Sequence, residues 1–347
     1  MAGGTYEARI RRFRGDLAGV RVDLGNLRRV AVHGIPDRDG LRAVAWKLLL
    51  GYLPPETARW PAALAHKRAA YAQFCVELIV DPKDGGGGGA GRDGSGGAAP
   101  AADHPLSQSQ DSRWHAFFKD AEMMEQIDRD VLRTHPDMHF FSGDDGSAVQ
   151  HRAEMKRCLF VFAKLNPGLR YVQGMNELLA PLYYHFRTDP APGAAAHAEA
   201  DAFYCFMDLL AEFRDHFCQQ LDNSAVGIRA TLTRLSEQLC RADEQLWQHL
   251  VERNKVNPQF YAFRWITLLL TQEFPFPDAV RLWDTLFADS GGRTDCLLRV
   301  CTAMLLNVRE ELLQGDFAHN LKLLQRYPSV DVHTVLHRAE QLRAQCL

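Results

Sequence analysis

Two short stretches of this chain carry side chains whose types and spacing could do chemistry. The first is Ile127-Asp128-Arg129-Asp130-Val131-Leu132-Arg133-Thr134. Ile127 and Val131 stand four apart, so on a helix they share a face and can anchor the segment to a core. Asp130 and Arg133 stand three apart on another face, where the carboxylate can hold the guanidinium. Pro136 follows closely and predicts that the helix ends just after Arg133. Positive charge is favoured at a helix C-terminus. Arg133 is then a long planar cation, oriented by a carboxylate, at the end of a rigid element. Taken alone, such a pair is an ordinary surface ion pair. In the second stretch Asn166-Pro167-Gly168 stops one helix, and Arg170-Tyr171-Val172-Gln173-Gly174-Met175-Asn176-Glu177 leads into the next. Gln173 falls near a helix start, and its amide can donate and accept at once, which positioning a water requires. Gly174 lets a partner's backbone come close. A lone glutamine here would be a polar capping residue.

The order and spacing of the two stretches change that reading. Ile127-x-x-Asp130-x-x-Arg133 precedes Tyr171-x-Gln173-Gly174 by about forty residues. This resembles the TBC domain, the family of Rab GTPase-activating proteins, with both of its signature motifs intact. The resemblance implies that the chain has no stand-alone active site and instead completes the catalytic site of a GTP-bound Rab in trans. A GTPase is slow because charge builds on the phosphate oxygens and the attacking water is poorly held; an arginine supplied from outside is worth on the order of 10³–10⁵ in rate. Arg133 would be that arginine, with Asp130 orienting it and Ile127 seating its helix. Gln173 would position the water in place of the Rab's own switch glutamine. Tyr171 would support that loop, Gly174 permit close approach, and Asn176 cap or brace the following helix. The chain has no nucleotide-binding motif, so the resemblance assigns GTP and Mg²⁺ to the Rab and leaves the chain no cofactor and no metal of its own. The rival reading is a Rab-binding scaffold or adaptor without GTPase-activating (GAP) activity. Loss of the arginine or the glutamine would favour that rival, and both are present.

The elements that must position these residues read as helices throughout. Ile10, Phe13, Leu17, Val20 and Leu24 predict one N-terminal amphipathic helix within residues 1–30. Gly34-Ile35-Pro36-Asp37 then leads into Leu41 to Leu50, where Pro36 is expected to begin the helical entry and Gly51 to close it. Arg42 and Trp46, four apart, are expected as a stacked pair that fixes this helix. Residues 84–103 are almost all Gly, Ala, Ser and Asp. They predict a flexible insertion, and no Gly-Lys-Ser/Thr follows to make the glycines a P-loop. Helical patterns continue through 106–134, 148–165, 176–186 with a proline kink or break near Pro181, and 196–221. In the second half Asn257-Pro258 is expected to open a helix carrying Phe263 to Leu270. Arg281, Trp283 and Asp284 look like the family's C-terminal pattern and read as core and ion-pair structure. No segment alternates as a strand, and no period of 20–50 residues repeats. The fold class expected is all-α, many short helices in two lobes, 31–221 with both motifs and 222–347.

Composition bounds the remaining possibilities. The 347 residues are 46% apolar, enough for a large core, and the net charge of −3 with no basic block argues against a nucleic-acid partner. Eight cysteines lie scattered without a C-x-x-C pair or zinc spacing, as expected of reduced thiols in a cytoplasmic protein. No apolar run has signal or membrane-spanning length, residue 2 is alanine rather than glycine, and Cys346 lies too near the end for prenylation. A monomer is expected, reaching membranes only through its Rab.

Overall fold

The computed structural model describes residues 5–79, 113–217 and 227–345. The insertion expected over 84–103, and the lobe boundary expected at 221/222, lie outside the described residues. The fold is all-α, as expected. Seventeen α-helices occur among the described residues, and extended pairing is limited to an isolated antiparallel bridge between Arg21 and Glu56. The chain forms two compact units, residues 67–176 and residues 1–66 with 177–347. The boundaries fall inside the helices Trp60–Leu78 and Met175–Arg187.

The unit of 67–176 is built on the helices Arg113–Val131 and Gly146–Leu165. Lys156 Nζ holds Asp128 at 2.9 Å and Lys164 Nζ holds Asp120 at 2.7 Å. The higher-numbered lysine takes the lower-numbered aspartate, so the two helices run antiparallel. Their facing sides bury Ile127, Val131, Met155, Leu159 and Phe162. Helix Gly146–Leu165 ends where expected, because Pro167 cannot continue it and Asn166 caps it by donating from Nδ2 to the Phe162 carbonyl at 2.8 Å.

In the other unit Asp284 is a hub. It is fully buried and accepts from the Ile35 amide at 2.8 Å, the Trp46 indole at 2.8 Å and Arg42 Nε at 3.2 Å. Burial holds its carboxyl above the ordinary range, with Arg42 and the two N–H donors opposing. Arg42 and Trp46 are therefore joined by a shared carboxylate rather than by the stacking expected of them. Arg42 also reaches the Ile35 carbonyl and Asp37. Trp283 is buried and its indole donates to the Leu269 carbonyl at 3.1 Å. Arg281 donates to Thr285 Oγ1 and to the Val32 carbonyl. Gly34, at φ +98°, lies so close that an added Cβ would sit 2.7 Å from Arg281 Nε.

Several element boundaries differ from the sequence reading. The N-terminal stretch is two helices, Tyr6–Leu17 and Leu24–Ala31, because Asp23 caps a new start by accepting from the Asn26 amide, and Val20 between them is 84% exposed. Pro36 does not begin the next helix. Asp39 and Gly40 both take positive φ, and the helix starts after them at Leu41. Gly51 closes it in the left-handed conformation at φ +87°. The expected helix through Leu270 stops at Thr267, where Leu269 and Leu270 turn left-handed while remaining fully buried. Helix Met175–Arg187, by contrast, continues through Pro181. Burial of Leu178, Leu179, Leu182 and Tyr183 offsets the hydrogen bond that the proline cannot make.

Candidate functional site

Ile127 and Val131 are almost wholly buried and fix the end of helix Arg113–Val131. The helix ends two residues earlier than expected. Its last turn tightens, with the Arg133 amide donating to the Asp130 carbonyl at 3.1 Å and the Thr134 amide to Val131 at 3.1 Å. His135 then takes φ +41°, which turns the chain ahead of Pro136. Arg133 thus stands on the tightened turn and not in the helix itself.

Asp130 is 5% exposed and organises what surrounds it. Its Oδ1 accepts from Arg133 Nη2 at 2.5 Å, and its Oδ2 accepts from the Tyr171 hydroxyl at 2.8 Å. Arg133 Nε also donates to the Arg129 carbonyl at 3.1 Å. The arginine is held through its Nε and Nη2, yet its side chain is 68% exposed. A charge-assisted bond to a buried carboxylate is among the stronger polar contacts available, so the guanidinium is oriented before any partner arrives.

Asn176 joins the two motifs. Its Nδ2 donates to Thr134 Oγ1 at 2.9 Å and to the Asp130 carbonyl at 3.2 Å, and Thr134 Oγ1 donates to the same carbonyl. Asn176 and Thr134 are both buried. Asn176 is thus a brace between the motifs. Between Tyr171 and Asn176 the chain makes a loop opened by Arg170 at φ +60° and closed by Gly174 at φ +99°. Only glycine adopts the latter readily. Gln173 sits in this loop, exposed, its amide making no hydrogen bond among the described residues. Arg133, Gln173 and Asp130 line one surface depression of about 470 Å³ with Gln126, Arg129 and Leu132.

The structure therefore brings Ile127, Asp130, Arg133, Tyr171, Gln173, Gly174 and Asn176 together in the unit of 67–176. Arg42, Trp46, Arg281, Trp283 and Asp284 form the separate cluster described in the other unit. Thr134 was missed by sequence reasoning, although its hydroxyl at the end of the first motif was a visible signal. Arg129, which also lines the depression, was not singled out in the sequence either. Among the described residues no group of His, Cys, Asp and Glu could hold a metal ion, and no helix is long and apolar enough to cross a membrane.

The profile of the Rab-GTPase-TBC domain matches residues 97–313, which contain both motifs. Over 97% of its length the chain is 40% identical to TBC1 domain family member 13 of Homo sapiens, of which it covers 98%. The chain belongs to the Rab-GTPase-TBC domain family. The Mus musculus member of the same name is likewise 40% identical, with 97% of this chain and 98% of that protein covered. Among solved structures, the Ypt/Rab-GAP domain of Gyp1p superposes with a TM-score of 0.79, covering 99% of this chain and 100% of that one. At 24% identity that likeness concerns the TBC fold.

Proposed function

We propose that this TBC protein is a GTPase-activating protein for a Rab-type small GTPase, inserting Arg133 and Gln173 into the nucleotide site of the GTP-bound partner. The observation that carries this reading is the shared depression. A guanidinium held along its Nε and Nη2 edge, yet largely exposed, lies beside an amide that makes no hydrogen bond among the described residues. Arg133 offers a planar fork to phosphate oxygens on which charge develops, and the Gln173 amide can accept from a water and donate to it. The nucleotide and Mg²⁺ come with the Rab, and any membrane contact is made through it. The protein acts as a monomer.

Phosphate release from a panel of GTP-loaded Rabs tests this. The wild-type chain should accelerate at least one of them. Arg133→Ala and Arg133→Lys should each lower the stimulated rate by about a hundredfold or more, as loss of an arginine finger does. Near-normal stimulation by Arg133→Lys would overturn the two-pronged role given to this side chain.

A further inference from the structure

We propose that Arg129 is a second cation of the depression, one that docks an oxyanion of the bound Rab complex in the ground state. The proposal rests on the reading that a Rab docks at this depression. Arg129 lines it together with Arg133 and Gln173, and is exposed. Its carbonyl accepts from Arg133 Nε, but its guanidinium makes no hydrogen bond or ion pair among the described residues. Glu125 stands four residues earlier, a spacing that favours a Glu–Arg pair on a helix, yet no ion pair joins them.

The charge balance of the depression is one-sided. Its lining contains two guanidinium groups and one carboxylate, Asp130. That carboxylate is buried, and both of its oxygens are already taken, one by Arg133 and one by Tyr171. Nothing in the lining is left to neutralise Arg129. Arg129, on the last turn of the helix, and Arg133, on the tightened turn after it, line the same depression, where like charges disfavour each other. An oxyanion between or beside them relieves that repulsion and takes up a fork suited to carboxylate or phosphate.

Docking, rather than chemistry, follows from how the two arginines are held. Arg133 is oriented by a buried carboxylate. Arg129 has no such partner and is ordered only on contact, so what it contributes is affinity for the docked state. Its loss therefore falls on KM rather than on kcat. The oxyanion is a terminal phosphate of the nucleotide or a carboxylate on the Rab surface.

The test uses the full chain and the Rab that it accelerates most strongly. Arg129→Ala should raise KM about tenfold with kcat within about twofold of wild type, and should weaken binding to the Rab loaded with a non-hydrolysable GTP analogue by the same factor. The salt dependence of binding should become shallower, and Arg129→Lys should restore part of the affinity. The thermal midpoint should be unchanged. Equal weakening with GDP-loaded Rab assigns the oxyanion to a carboxylate, and weakening confined to the GTP analogue assigns it to the terminal phosphate. Unchanged KM and affinity in Arg129→Ala, with stimulation still abolished by Arg133→Ala, would overturn the proposal and leave the site reading intact. If the wild-type chain neither binds nor accelerates any Rab, the site reading fails and the proposal fails with it.

Discussion

At the scale of single residues, the weight of the site falls on Asp130. It is buried, it holds the exposed arginine, and it takes the hydroxyl of a tyrosine 41 residues further on. Tyr171→Phe removes that donor and leaves a buried carboxylate oxygen short of a partner, at a cost of about 1–3 kcal/mol. The larger consequence should be kinetic. With one side of Asp130 released, Arg133 loses part of its fixed geometry, and small misplacements of a reacting group cost up to about a hundredfold in rate. Tyr171→Phe should therefore lower kcat for stimulated hydrolysis by about tenfold or more while KM changes little, as stopped-flow phosphate release would show. A fall in stability with kcat preserved would make Tyr171 structural only. Arg133 and Gln173 were singled out in the sequence by the resemblance of the two stretches to the TBC motifs, since alone the first reads as an ordinary surface ion pair and the second as a cap. Thr134 was not, since its hydroxyl gains meaning only when Asn176, 42 residues away, arrives beside it.

At the scale of elements, hydrophobic periodicity located most helices, and local chemistry in their connections decided where they begin and end. Asp23 splits the N-terminal helix in two, and its capping bond spans only three residues. Such a cap was readable in principle, but the apolar spacing of Leu17, Val20 and Leu24 masked it. The early end at Thr267 was not readable. Leu269 and Leu270 are strong helix formers, and they turn left-handed because their side chains are buried and the Leu269 carbonyl is held by the Trp283 indole, 14 residues on. Tertiary contact here overrides propensity. The same holds at the site. His135 and Arg170 take positive φ without being glycine, and both flank the motifs. Such conformations persist only where the surroundings enforce them. Here the buried Asp130–Tyr171–Asn176–Thr134 network is on hand to do so.

At the scale of the whole molecule, compactness groups the chain as 67–176 against the rest, and both motifs fall in the smaller unit. The larger unit carries an acid-sensitive group of its own. His185 is buried edge-on to Trp46 at 5.0 Å, and burial, then the nearby Arg42, lowers its pKa from 6.5 to about 3. Above pH 6.5 the imidazole is neutral in both folded and unfolded chains and contributes no pH dependence. Below it the unfolded chain gains a proton that the folded chain refuses, so stability falls as pH falls towards 3. Between pH 6.5 and 5 this amounts to about 2 kcal/mol. Urea denaturation at pH 7 and pH 5 should show the loss, and a His185→Gln variant, though weaker at pH 7, should lose less. Equal losses in both proteins would assign the acid sensitivity elsewhere.

The central claim is that two side chains of this TBC protein, and not one, complete the Rab site, and single-turnover phosphate release with four pairings tests it most directly. The pairings combine the wild-type or Gln173→Ala chain with a Rab that keeps its switch glutamine or has it replaced by leucine. If Gln173 holds the water, the glutamine-deficient Rab is still accelerated by the wild-type chain and gains nothing from the Gln173→Ala chain. A glutamine-deficient Rab that the wild-type chain cannot accelerate would contradict the account, leaving Arg133 as a lone finger and Tyr171 to Asn176 as a docking loop.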